Sequence, residues 1–568
     1  MSEQLSNLAA KYWERVLSAN PTLATFYGVH DYDDRLEDLS IDAEQDFRSD
    51  LVSIRTQVEA LASESLSMNA RVTKSLLLNQ IDTKVEAIDL RLIELASDHM
   101  DGPHAQLLMA APLLTYPETE HAEAALDRYA QIPRMLGQAL DRFRDGLKVG
   151  RTPVAAVIAR SLNSLDRYLE TDLDQDPFLA ASVPVDWSGR EGWLATMRDL
   201  VSDQIRPAIA VYRNVLAEEL LPLGRDEDHA GICWLPDGDQ IYEAQIHAYT
   251  STRISAGELH ERGRWIIENK LPGEYTATAS SWFASLGSTA PTFDPADSAV
   301  LHEYIRNAPG LRHSDAQQII DVAESSIERA ERAIPEYFGR LPLARCVVSP
   351  VPDFLAADSP YAYYFPAAPD GTRPGTYFIN TASPEEASLA EAQSIAFHEA
   401  IPGHHLQIAI GQELTGVPEF QKHEGNTAFI EGWALYAERL ADQMNLYSDD
   451  VARIGMLAAD SWRSARLVVD TGLHALGWSR QQAIEYFEVN TPVPVDQIAT
   501  EVDRYIAIPG QALAYKVGQL EIERLRDQAM ERLGEDFSIK DFHDTVLGSG
   551  AVTLPVLAEL IEAYSDGT

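Results

Sequence analysis

The segment His398-Glu399-Ala400-Ile401-Pro402-Gly403-His404-His405 packs three histidines and a glutamate into eight residues, and its reading decides the fold as well as the chemistry. Zinc in a hydrolytic site takes three protein ligands, usually neutral imidazoles and a carboxylate, and keeps one position open. When two histidines stand four residues apart on one helix, both imidazoles leave the same face. Here the fourth position after His398 is Pro402, so that spacing fails. Pro402 has no N–H for the His398 carbonyl, and Gly403 tolerates backbone angles that other residues avoid. A bulge or break in the helix is therefore predicted at this point. A two-residue bulge returns His404 to the face of His398. On an unbroken helix His405 lies nearest that face in angle, but about 10 Å farther along the axis at the 1.5 Å rise. The expected ligands are His398 and His404, with His405 as the alternative or as a supporting residue, and Glu399 as general base.

A third ligand has to come from a second helix. Asn426 to Glu438 is an apolar helical stretch in which Glu431 and Glu438 stand seven residues apart, on one face otherwise lined by Ala and aromatic side chains. A carboxylate buried there costs several kcal/mol unless a metal or a hydrogen-bond partner compensates it. The expectation is Glu431 on the metal and Glu438 behind it, orienting a histidine. The alternative is that both are surface acids of an acidic protein.

Upstream, Arg345 to Ser349 and Gly375 to Asn380 are short, β-branched and aromatic, and read as two strands around a loop rich in Tyr, Pro, Asp and Gly. Ser383-Pro384-Glu385-Glu386 reads as a helix start, with Ser as N-cap. Elsewhere helical periodicity dominates, over Ser6 to Ser18, Ile41 to Leu66, Asn69 to Ser97, His121 to Leu169 with a restart at Thr152-Pro153, Gly192 to Leu220, Ser255 to Asn269, Ser314 to Phe338 and Asp449 to Leu476. The fold class expected is mainly α, a large multi-helix body with one small sheet beside the metal-binding helix. Residues 1–340 are expected to form a helical lobe that makes one wall of the cleft, and 341–568 the metal-binding catalytic region with the small sheet, in one continuous body with the first part.

The chain carries 88 acidic against 45 basic residues, a formal net charge of −43. Such a surface repels phosphate backbones and anionic lipid heads, so nucleic acid and membrane are not expected partners. Only Cys233 and Cys346 are present, which excludes a disulfide framework and a cysteine zinc knuckle. The N-terminus reads as lacking a secretion signal, and no run of about 18 apolar residues occurs. The expected location is the cytoplasm.

His398 to Gln407 together with Phe429 to Glu438 resembles the bacterial family of unknown function DUF885, whose pattern is roughly H-E-x-x-P-G-H-x-x-Q followed by E-G-W-A-x-Y-x-E, and the likeness extends over nearly the whole chain. The second motif is also similar to the N-E-G-F-A segment of gluzincin aminopeptidases, where the Glu binds zinc and a later acid supports a ligand. The resemblance implies a zincin-like metallopeptidase architecture, with His404 matching the second histidine. By analogy with zincin sheets, Gly375 to Asn380 is expected at a sheet edge, where it can pair with an extended peptide. Tyr377 and Asn380 then become candidate substrate-binding residues.

Ser461 to Leu476 carries Arg463, Arg466, Asp470 and His474 as a polar stripe on a largely apolar helix. Such a stripe needs partners, which either a catalytic cleft or an internal salt-bridge network supplies. His474 is a candidate catalytic residue, Asp470 a candidate support for the ligands and Arg466 a candidate substrate contact. Arg504-Tyr505 and Pro509 to Lys516 resemble another block of the same family. Tyr505 and Tyr515 are candidate donors to an oxyanion, and Arg504 or Lys516 could hold a peptide's terminal carboxylate. The resulting expectation is one zinc per chain and a small peptide as substrate. Two alternatives stand beside it: hydrolysis of non-peptide amides or esters, and an inactive scaffold whose metal is closed off by a fourth protein ligand such as His405 or His423. Oligomeric state is not legible in the sequence.

Overall fold

The computed structural model describes residues 3–352, 360–368 and 373–566. Its helices begin where short polar side chains can satisfy the first free N–H groups. Ser40 caps Ile41–Glu59 at the Ala43 N–H, Asn426 caps Thr427–Gln443 at Phe429, and Asp449 caps Asp450–His474 at Ala452. Ser479 and Gln482 form a reciprocal capping box on Arg480–Asn490. The fold is mainly α, as the periodicity predicts. The restart at Thr152-Pro153 separates Ile132–Lys148 from Ala155–Glu170.

The sheet has three strands, β1 (Cys346–Pro350), β2 (Ala362–Phe365) and β3 (Gly375–Ile379), in the order β1-β3-β2. β1 runs parallel to β3, with Cys346 opposite Gly375, and β2 runs antiparallel, with Ala362 opposite Ile379. This corrects two expectations. A strand lies inside the segment read as a loop, because Ala362-Tyr363-Tyr364-Phe365 is aromatic enough to pair, Tyr363 stacking on Phe378 at 5.1 Å. β3 is central and not an edge, so its main chain has no free side to offer a peptide. The helix start expected at Ser383 is also displaced. Ser383 opens a single turn, closed by the Glu386 N–H, and the helix begins at Ala392.

Buried side chains form several cores. One draws Leu5 to Leu17 and Leu51 to Val58 together with Ile319 to Phe338, Phe397, Leu406 and Trp433. Another joins Ile266 to Leu311 with Ile454 to Leu473 and Ile498 to Ala512. Both cross residue 340, so the chain on either side of it packs as one body. A third uses only residues between Leu36 and Leu220.

Burial holds several histidines neutral. It pushes His104 and His302 down to about 4, and His474 and His543 down to about 3. An unfolded histidine titrates near pH 6.5. Below that pH the unfolded chain takes up protons that the folded chain refuses, which favours unfolding by about 1.4 kcal/mol per group and pH unit until the folded value is reached. The Tm measured by calorimetry is expected to fall steeply between pH 6.5 and 5; a flat profile would contradict this account.

Candidate metal centre

The helix Ala392–Glu399 ends one residue after His398, and a second helix, His404–Gln412, opens on His404. Gly403 makes this tight reversal possible, because a Cβ there would stand 1.9 Å from the His398 carbonyl oxygen. The Trp433 indole N–H donates to the Pro402 carbonyl at 2.9 Å, which ties the break to the neighbouring helix Thr427–Gln443 that carries Glu431. As a result His398 Nε2 and His404 Nε2 lie 3.6 and 3.5 Å from the same oxygen, Glu431 Oε2. The two rings are near-perpendicular, at 87°, with centroids 4.7 Å apart. Zinc bonds of about 2.0–2.1 Å place tetrahedral ligand atoms about 3.4 Å apart, so this donor set fits a divalent cation. Glu431 Oε2 is buried and has no hydrogen-bond partner among the described residues, leaving its lone pairs for such an ion.

The other face of His398 is fixed. Its Nδ1 lies 2.8 Å from Glu438 Oε1, and Ser394, one turn earlier on the same helix, donates to Glu438 Oε2 at 2.5 Å. The Tyr447 hydroxyl donates to the Glu438 carbonyl at 3.1 Å and to Ser394 Oγ at 3.4 Å. With Nδ1 protonated toward Glu438, the Nε2 lone pair faces the ligand cluster. Burial pushes the His398 imidazole down, but the adjacent carboxylates of Glu431 and Glu438, the latter accepting from Nδ1, and the charge of Glu399 outweigh it and lift the group to about 9. Burial also opposes the Glu431 anion, yet His398 and His404 hold it well below the usual carboxylate range. Glu438→Gln is expected to weaken zinc binding by about 10–100-fold in competition with a chelator; unchanged affinity would remove Glu438 from the site.

A family profile described as "Bacterial protein of unknown function (DUF885)" matches residues 21–561. The chain belongs to this DUF885 family. No curated protein matches the sequence. Among solved structures, a candidate lipoprotein from Colwellia psychrerythraea superposes with a TM-score of 0.90 at 23% identity, covering 100% of this chain and 99% of its own. A candidate lipoprotein of unknown function from Shewanella oneidensis gives a TM-score of 0.77 at 18% identity, covering 99% of this chain and 100% of its own. At these identities the likeness is one of fold. No described helix of this DUF885 chain is long and apolar enough to cross a membrane.

Other residues singled out in the DUF885 motifs lie elsewhere. His405 turns to the sheet, with Nδ1 3.0 Å from the Tyr364 hydroxyl and Nε2 3.1 Å from the Ala344 carbonyl, so it neither ligates nor supports the cluster. His423 stacks on Trp13 and packs at a tilt against Tyr27 instead. His474 corrects a catalytic expectation. Its Nδ1 accepts from the Ile232 N–H and its Nε2 faces the Tyr505 carbonyl at 2.9 Å, leaving no nitrogen for proton transfer. Asp470 accepts from the Tyr242 hydroxyl and the Gly510 N–H rather than from a ligand histidine, and burial lifts it to about 7. Lys516 is sealed against Asp460 and Gln519, which withdraws it as a carboxylate contact. Asn380 accepts from the Ala382 N–H through its side chain and donates its own N–H to the Tyr361 carbonyl.

Nearer the His398, His404 and Glu431 cluster, burial, then Tyr361 and then the Glu399 charge raise the Tyr377 phenol well above its ordinary value. Tyr515 is raised by burial and then by the Glu431 charge. Arg466, Arg504 and Tyr505 converge on Glu501, a residue the motif reading missed because it matches no part of the recognised blocks. Ser394 was missed too; its signal is its position four residues before His398 on one helix.

Proposed function

We propose that this DUF885 protein is a zinc-dependent hydrolase that cleaves short peptides. The observation that carries the reading is the convergence of His398, His404 and Glu431, whose ligand atoms all lie within 4.8 Å of one another. His405 and His423 have other partners, and no fourth protein ligand joins the trio among the described residues, which favours an open hydrolytic site over a closed structural one. Zinc, when bound there, supplies Lewis acidity and a water acidified to a pKa of about 7. Glu399, at the end of the helix beside His398, takes the proton from the attacking water and passes it to the leaving amine. Glu438 and Ser394 hold His398 in the required tautomer.

Elemental analysis of the purified protein and a peptide-library digest test the proposal together. One zinc per chain, with peptide cleavage lost on chelation and restored by zinc, is the expected result. A protein that takes up no divalent ion would overturn it. Ester and non-peptide amide substrates assayed beside the peptides identify the bond that is cut.

A further inference from the structure

Around Glu501 two largely buried guanidinium groups are served by a single carboxylate. Arg466 is 4% exposed. Its Nε donates to the Tyr505 hydroxyl at 2.8 Å and its Nη2 to Glu501 Oε2 at 3.1 Å. Its Nη1 is buried and has no partner among the described residues. Arg504 donates from Nη2 to the same Glu501 oxygen at 3.0 Å and from Nη1 to Gln511 at 2.7 Å. Two guanidinium groups thus share one carboxylate, in a chain where acids outnumber bases by 88 to 45. A buried guanidinium with an unused donor carries a desolvation penalty that an anion would relieve.

Tyr515 relates this surplus to the metal ligands. Its ring lies against the Arg466 guanidinium, 4.5 Å from its carbon to the ring centroid. Tyr515 sits on the helix Leu513–Leu533, one turn before Gly518. A Cβ on Gly518 would stand 1.7 Å from the Ala428 carbonyl and 2.8 Å from the Gly432 Cα, so this helix touches the Glu431 helix backbone to backbone. Tyr515 thus adjoins Arg466 and also feels the Glu431 charge, and Arg504 and Glu501 keep 16% and 19% of their side chains exposed.

We propose that Arg466 and Arg504 bind the C-terminal carboxylate of a peptide whose last bond lies at His398, His404 and Glu431, making the enzyme a carboxypeptidase. This rests on the hydrolase reading and names its substrate class. Guanidinium N–H groups bind carboxylates through charge-assisted hydrogen bonds, and Arg466 Nη1 is a donor left over for one. Recognition of a free amine beside Arg466 would instead require an acid free at that position, and Glu501 is already shared by both arginines and Tyr505.

The test compares short peptides as free acids with the same peptides as C-terminal amides. Wild-type enzyme is expected to lose roughly a hundredfold in kcat/KM on amidation, as for a lost buried charged hydrogen bond, and to be indifferent to N-terminal acetylation. Arg504→Gln, at the more exposed arginine, should erase the difference between acid and amide, with Arg466→Lys as a second variant that keeps the charge. Calorimetric binding of both peptides to zinc-loaded Glu399→Gln separates this idea from the hydrolase reading. Preference for the acid without any wild-type turnover would keep the carboxylate site while the hydrolase reading falls. Equal cleavage of acid and amide would overturn the carboxylate site and leave the hydrolase reading standing. Equal binding of the two would likewise overturn it.

Discussion

Glu399→Gln is expected to lower peptide hydrolysis by roughly a thousandfold, the scale of a lost general base, while zinc stays bound at one per chain. The amide keeps the size of the carboxylate but cannot take a proton from water. Glu399 is not one of the three converging donors, so ion affinity is expected to stay close to that of the wild type. Elemental analysis and turnover measured on the same preparation check both halves. Hydrolysis that persists would sink the proposed mechanism; zinc lost along with activity would show that Glu399 helps hold the ion.

Gly403→Ala should act in the opposite manner, removing the ion. The added methyl would meet the His398 and Phe397 carbonyl oxygens at 1.9 and 2.4 Å, and main-chain oxygens cannot rotate aside. Relieving the clash requires the chain between His398 and His404 to open, which separates the two imidazoles. Zinc affinity is expected to drop by more than a hundredfold, because two of three ligands no longer converge, with a stability loss of about 1–3 kcal/mol from overpacking. Gly411→Ala is the control: a Cβ there meets nothing within 4 Å and should stabilise the helix by up to about 1 kcal/mol. Zinc titration with a chelating indicator, beside thermal melts, reads both. A Gly403→Ala protein that binds zinc normally would show that the reversal does not set the ligand spacing.

The parts of this site that the sequence made legible are those governed by neighbours in the chain. Pro402 and Gly403 announce a broken helix through local backbone chemistry, and the seven-residue interval from Glu431 to Glu438 places both acids on one face whatever the rest of the protein does. The parts that were not legible depend on distant segments. Nothing near His474 shows that the Ile232 N–H, 242 residues away, will occupy its ring. His405 is adjacent to His404, and only the arrival of Tyr364 and Ala344 decides that it faces the sheet. The strand Ala362–Phe365 is hidden for a different reason. It is four residues long and flanked by turn-forming residues, so composition averages it away, and its presence moves β3 from the edge to the middle of the sheet.

Two helices that meet at Gly432 and Gly518 have no side chains between them to compress or rearrange. The perch of Glu431 is accordingly set by main-chain thickness rather than by packing of replaceable groups. Were an ion to sit on Glu431, a larger one would have to be accommodated by rotating the carboxylate or the imidazoles, because the backbone contact at that crossing leaves the helices little room to ease apart.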